Sequence, residues 1–197
     1  MRELLVATSN KGKLSEMLAI LAGVPFTILT LSDVDAGGDV EETEETLEGN
    51  AILKAKTYAT RTGKLTIAED TGLEVDALGG GPGVRTARYA EGSDDDRNQK
   101  LLRELEGVPE EKRGARFRTL AALYDPVSGA VRTSSGECRG RIVDGAKGEK
   151  GFGFAPIFFV EELGKRMAEV DIETRTAISH RGIALTKMRQ ILMDKFV

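Results

Sequence analysis

"KLTIAEDTGLEVDALGGGPG", residues 64–83, opens as a short apolar run and closes on glycines around a single proline. Two adjacent carboxylates, Glu69 and Asp70, stand directly behind "KLTIA". The pattern predicts a buried strand that ends on two negative charges. Burying unpaired carboxylates is costly, and the remedy is a partner cation, a metal or a proton. Neighbouring strand residues face opposite ways, so Glu69 and Asp70 can aim at one ion only if the chain turns. Thr71-Gly72 permits such a turn.

Outward from this stretch, "ELLVA" reads as a buried strand and "TSN" as the turn into a helix. Leu14, Met17, Leu18 and Leu21 recur at helical spacing from Lys11 to about Ala22, with Asn10 as N-cap. "FTILTL" is a second strand. A helix capped by Thr46 follows an acidic loop, and Asn50, Lys54 and Tyr58 share one of its faces. "DDDRNQKLLRELEG" is a helix whose aspartates suit its N-terminus. The second half alternates as a β-hairpin broken at "DPVSG". "FAPIFFV" is expected to be a strand, and a last helix runs from about His180 with Ile183, Leu185, Met188, Ile191, Leu192 and Phe196 as its apolar stripe. The class is α/β in the first half and β-rich in the second, without the regular alternation of a doubly wound fold.

The length suits one compact domain, or two lobes sharing a core. A net charge of −4 argues against a duplex nucleic-acid binder, whose footprint would be basic. No apolar run reaches membrane-spanning length and no signal-peptide pattern is present, so neither a membrane nor a nucleic-acid polymer is expected as partner. The single cysteine, Cys138, cannot form an internal disulfide, and it reads as a half-buried strand thiol. With one histidine besides, a structural zinc site would need unusual ligands. A reducing, cytoplasmic home fits.

Three features carry chemistry. Two helices open on cations, Lys11 and Lys13 in one, His180 and Arg181 in the other, where the helix dipole favours anions. Either something negative completes both ends, as a phosphate would, or these are exposed side chains in salt water. The loop from Asp39 to Glu48 supplies six acidic side chains. Divalent ions are held by one or two carboxylates plus substrate phosphates, and the alternative is a solvated charged face. "GFGFAP", residues 151–156, offers flat rings on a close backbone, for a nucleobase or for core.

Together, "VATSNKGK", "TLEGNAILKA", "AEDTGLEVDALGGGPGVRTARYA", "GFGFAPIFF" and "ISHRGIAL" resemble, in order and spacing, the Ham1-like inosine triphosphate pyrophosphatase family. The resemblance runs from Leu4 to about Arg189. It implies an elongated α/β fold with two lobes, one long curved mixed sheet, a central nucleotide cleft and a homodimer, the whole of 1–197 being a single domain. It implies hydrolysis of ITP, dITP and XTP to monophosphate and pyrophosphate, with magnesium as cofactor and manganese as a substitute. On this sequence Asn10 and Lys13, with Thr8 and Ser9, match triphosphate ligands, and Lys54 reaches the same phosphates. Glu42 matches a metal ligand, and Asp70 the aspartate that holds metal and activates water, with Thr71 beside it. Phe152, in the run Phe152–Gly153–Phe154, would stack on the base. Arg175, Ser179, His180 and Arg181 match the base-reading side. A donor there suits the purine's six-position oxygen and is left unpaired by adenine.

The sequence departs from the family pattern at Ala155 and Phe154, where aspartate and tyrosine are usual, and at Gly49, where glutamate is common. Glu69 stands for aspartate and Arg175 for lysine. Two rival readings are a Maf-like pyrophosphatase of another base preference, which lacks the "SHRG" ending, and a nucleotide-binding protein without turnover.

Overall fold

A computed structural model describes residues 2–196, with side chains through Asp194. Among the described residues eight strands form an open mixed sheet, and five α-helices accompany them. The strands are β1 (Arg2–Val6), β2 (Phe26–Thr30), β3 (Leu65–Val75), β4 (Pro82–Gly83), β5 (Gly114–Tyr124), β6 (Val131–Ile142), β7 (Phe158–Val160) and β8 (Lys165–Arg166). The sheet order is β2-β1-β3-β5-β6-β7-β8, with β4 paired to β3. The helices are α1 (Lys11–Ile20), α2 (Leu47–Thr62), α3 (Asp94–Glu104), α4 (Ile172–Ile178) and α5 (His180–Phe196). Among the described residues no helix is long and apolar enough to cross a membrane. The chain divides into two compact units.

The first unit comprises Met1–Asp70, Thr119–Gly136 and Arg181–Val197. Its strands β1, β2 and β3 run parallel. Strand alternation sends Leu4, Val6, Ile67, Ala121 and Leu123 to one face, against Met17 and Leu21 at α1 and Leu185, Met188 and Leu192 of α5. Leu5, Ala7, Ala68 and Ala122 go to the other face, against Ala51, Ala55 and Tyr58 of α2. This part of the sheet is covered on both sides, which is what a near-continuous apolar run such as "LLVA" requires. The expected caps are present: Asn10 accepts from the Lys13 amide at 3.0 Å and Thr46 from the Gly49 amide at 3.0 Å. Such a cap stabilises a helix by ~1 kcal/mol. The expected stripe of α5 is buried or half-buried through Leu192, whereas the side chain of Phe196 lies outside the described residues.

The second unit comprises Thr71–Arg118 and Glu137–His180. Here the apolar side chains fall on one face of the strands: Leu73, Val75, Ala115, Phe117, Cys138 and Phe158 pack with Leu101 and Leu105 at α3. The opposite face is charged, with Glu74 bridging Arg116 at 2.6 Å and Arg118 at 3.1 Å. Cys138 lies in β6 as a strand thiol, but it is buried rather than half-buried, and burial pushes its thiol up to about 11.

Three expectations change. The strand does not end at Glu69-Asp70, nor does the chain turn at Thr71-Gly72: β3 continues through both carboxylates to Val75. The turn comes later, where Gly79 and Gly80 adopt positive φ and fold β4 back onto Leu73 and Glu74. "FAPIFFV" is not a strand throughout. Only Phe158–Val160 is extended, and Phe154 to Ile157 form a buried turn closed by an Ile157 amide to Phe154 carbonyl bond of 3.1 Å. The short helix α4, capped by Asp171, is unmarked by any apolar periodicity.

Candidate functional site

Because β3 runs straight, its alternation carries the two carboxylates apart. Glu69 continues the Ile67 face, where α1 and α5 lie, and Asp70 the Ala68 face, where α2 lies. Each therefore meets cations of different helices.

Glu69 is buried, and its Oε1 is 2.6 Å from Lys13 Nζ, while Oε2 is 3.5 Å from Arg181 Nε. Arg181 also donates to Glu16 at 2.7 Å. Burial alone would raise the Glu69 pKa, but Lys13, Arg181 and Lys54 hold it below the usual carboxylate range. This settles the paradox of the two helix starts in part: one buried carboxylate completes the lysine of α1 and the arginine of α5. Glu16 was not foreseen. It stands one turn after Lys13, the spacing at which two helical side chains share a face.

On the other face Lys54 Nζ lies between two carboxylates, 2.7 Å from Glu42 and 2.9 Å from Asp70. Asn50, on the same face of α2 as expected, is fully buried and reaches Asp70 at 3.5 Å. Its amide also accepts from the Glu44 amide at 3.0 Å and donates to the Glu44 carbonyl at 3.3 Å, tying the acidic loop to the helix. That tether was missed, although Asn50 was marked by its face. Burial raises the Asp70 pKa, Lys54 opposes it, and Glu42 adds to it, leaving Asp70 at about 6. Burial would pull Lys54 down, but Asp70, Glu69 and Glu42 outweigh it and the shift is upward. At Gly49 an added Cβ would come within 2.8 Å of Glu44 Cβ, so the loop rests in the space where a side chain would be.

In the segment before α1, Ser9 and Asn10 are exposed and Thr8 is half-buried, with Thr8 Oγ1 accepting from the Asn10 amide at 3.3 Å. Asn10 Oδ1 is engaged in capping. Among the described residues no group of three or more metal-ligating side chains occurs. Glu42 and Asp70 are a pair, which suits a cation that takes its remaining ligands from water and phosphate.

In the second unit, Phe154 is 2 % exposed and packs against Tyr89 with ring centroids 6.3 Å apart. Of the two alternatives for these rings, Phe154 is core, and Phe152 is half-buried. Gly153 joins them at φ +64°, and Thr71 is half-buried in β3. Arg175 lies over Gly151, whose added Cβ would meet its Nη1 at 2.9 Å and the Ala155 methyl at 3.3 Å. Ser179 and His180 are buried, and the imidazole stacks on Phe117 at 4.6 Å with a 16° interplanar angle. The expected base-reading residues thus divide: Arg175, Ser179 and His180 belong to this unit, and Arg181 to the first.

The sequence model of the Ham1 family matches residues 4–191. The chain belongs to the Ham1 family. It is 50% identical over 194 residues to a protein of Geobacter sulfurreducens named dITP/XTP pyrophosphatase, covering 98% of this chain and 97% of that one. A Bacillus subtilis protein of the same name is 42% identical, with 98% of each chain covered. Among solved structures, a HAM1 protein from Coxiella burnetii is similar with a TM-score of 0.90 at 36% identity, covering 98% of this chain and all of that one. The Staphylococcus aureus Ham1 protein gives 0.87 at 37%, with the same coverage.

Proposed function

We propose that this protein hydrolyses the non-canonical purine nucleoside triphosphates ITP, dITP and XTP to monophosphate and pyrophosphate. The observation that carries the reading is the Glu42–Lys54–Asp70 cluster, two carboxylates sharing one lysine on a buried strand face. Its chemistry fits a divalent cation held by Glu42 and Asp70. Such an ion, magnesium before manganese, would supply charge neutralisation at a pyrophosphate leaving group.

Asp70, a buried carboxylate beside the place where that cation would sit, suits removal of a proton from attacking water. Lys54 neutralises phosphate oxygens as charge develops on them, and Lys13, at the start of α1, offers a second ammonium. The N-terminal amides of α1 add a cradle of donors. In the second unit, Phe152 provides the stacking surface, and Ser179, His180 and Arg175 the polar edge that selects a six-position oxygen. Arg181 is held by Glu16 and Glu69, so its base-reading role requires one of its N–H groups to be shared. With this reading go a cytoplasmic setting and a homodimer, both supported by the family likeness alone.

The test is a panel of nucleoside triphosphates scored for pyrophosphate release with magnesium. ITP and XTP should turn over at least about 100-fold faster than ATP, whose six-position amino group leaves the donors of that edge unpaired. GTP shares the six-position oxygen, so a lower rate on GTP reports exclusion of its two-position amino group instead. Equal rates on all four would defeat the specificity.

A further inference from the structure

Both peptide groups of Gly153 are gripped by side chains of a single helix. Asp94 Oδ2 accepts from the Gly153 amide at 2.6 Å, and Asn98 Nδ2 donates to the Gly153 carbonyl at 3.2 Å. The two residues stand four apart on α3, so they share its face. The Gly153 amide belongs to the peptide that follows Phe152, and its carbonyl to the peptide that precedes Phe154. The first bond therefore fixes ψ of Phe152 and the second fixes φ of Phe154, on either side of a residue with left-handed φ. Asp94 is steadied by an ion pair with Arg97, which also donates to the Gly92 carbonyl at 3.1 Å.

Asn98 is 4 % exposed, and its Oδ1 finds no hydrogen-bond partner among the described residues. A buried amide with its oxygen unsatisfied is costly, and leucine of similar volume would fill the space better. Its one bond is to Gly153. Helix α3 reads from sequence as an acidic-capped surface helix, with nothing to connect it to "GFGF".

We propose that Asp94 and Asn98 are positioning residues that set the Phe152 ring for the purine by holding Gly153 from both sides. This rests on the reading of Phe152 as the base platform. Neither residue touches nucleotide. A preformed platform spares the loop an ordering cost on binding, so the clamp acts on purine affinity rather than on chemistry at phosphorus.

The chain contains no tryptophan, so Phe152→Trp places a single tryptophan at the ring position, excited selectively at the red edge beyond the absorption of the tyrosines. In that background, without nucleotide, Asp94→Ala and Asn98→Leu should each raise the acrylamide quenching constant about twofold as the loop loosens. With Phe152 intact, each should raise the KM for ITP about tenfold, the scale of one base stack, with kcat little changed. Inhibition by inorganic pyrophosphate, which has no base, should stay where it was. Asp94→Asn, which keeps an acceptor for the Gly153 amide, should recover most of the loss and guards against misfolding of Asp94→Ala. Melting temperatures identify any variant that is merely unfolded. Unchanged quenching in the folded variants overturns the clamp, and raised quenching with unchanged KM overturns its role in base binding. A parent protein that does not turn over ITP overturns the functional reading alone, because quenching still decides the clamp.

Discussion

The two faces of β3 carry opposite electrostatics one residue apart. On the Glu69 face two carboxylates, Glu16 and Glu69, meet two cations, Lys13 and Arg181. On the Asp70 face two carboxylates, Glu42 and Asp70, share the ammonium of Lys54. Lys13, Arg181 and Lys54 together outweigh burial and hold Glu69 below the usual range. At Asp70, by contrast, burial outweighs the pull of Lys54, Glu42 adds to the rise, and the pKa stands at about 6. The first arrangement is therefore balanced in charge, and the second is open to a further positive charge.

The most severe test of this contrast is turnover. Asp70→Asn keeps the shape of the side chain and removes its basicity, so kcat should fall about 10²–10⁴-fold with the fold intact. Steady-state pyrophosphate release, with circular dichroism alongside, measures both. A variant that keeps its rate would transfer the base to another group.

Stability should move in opposite directions on the two faces. Glu69→Gln leaves Lys13 and Arg181 short of a buried counter-charge, and urea unfolding should show a loss of ~3–5 kcal/mol. Glu69 ionises below the usual range when folded, so its contribution is present above that range and disappears only in strong acid. A loss of a few tenths would mean that Glu69 is not the keystone of that face.

Asp70 behaves conversely. Its folded pKa lies above its ordinary value of 3.8, so the native state binds more protons than the unfolded chain between the two. Stability therefore falls as pH rises from about 4 to about 6, and the cost is fully present above that window. In metal-free buffer Asp70→Asn should be more stable than the parent by ~1–3 kcal/mol at pH 7.5, with the gain vanishing near pH 4. Chemical unfolding at the two pH values decides it, and a variant less stable at both would show that the face is not in deficit.

Much of this was legible in the sequence because it is local. The caps at Asn10 and Thr46, the shared face of Asn50, Lys54 and Tyr58, and the start of α5 at His180 each depend on residues within a turn or two. The placement of the strand end was not. Two charges after an apolar run read as an exit from the core, and only their partners, 56 and 16 residues away in Lys13 and Lys54, allow the strand to continue. Glu16 and Asn98 escaped notice for the same reason: each is a polar residue on an otherwise ordinary helix until its distant partner is known.

The sequence by itself determined the alternation of β3, and with it that Glu69 and Asp70 would face opposite ways, because pleating follows from backbone geometry alone. It also carried the motifs by which the family is known. Which face would be balanced and which left in deficit was decided only in three dimensions. Helices α1, α2 and α5 had to pack before their cations could be counted, and a buried charge takes its pKa from whatever packing brings within a few ångströms.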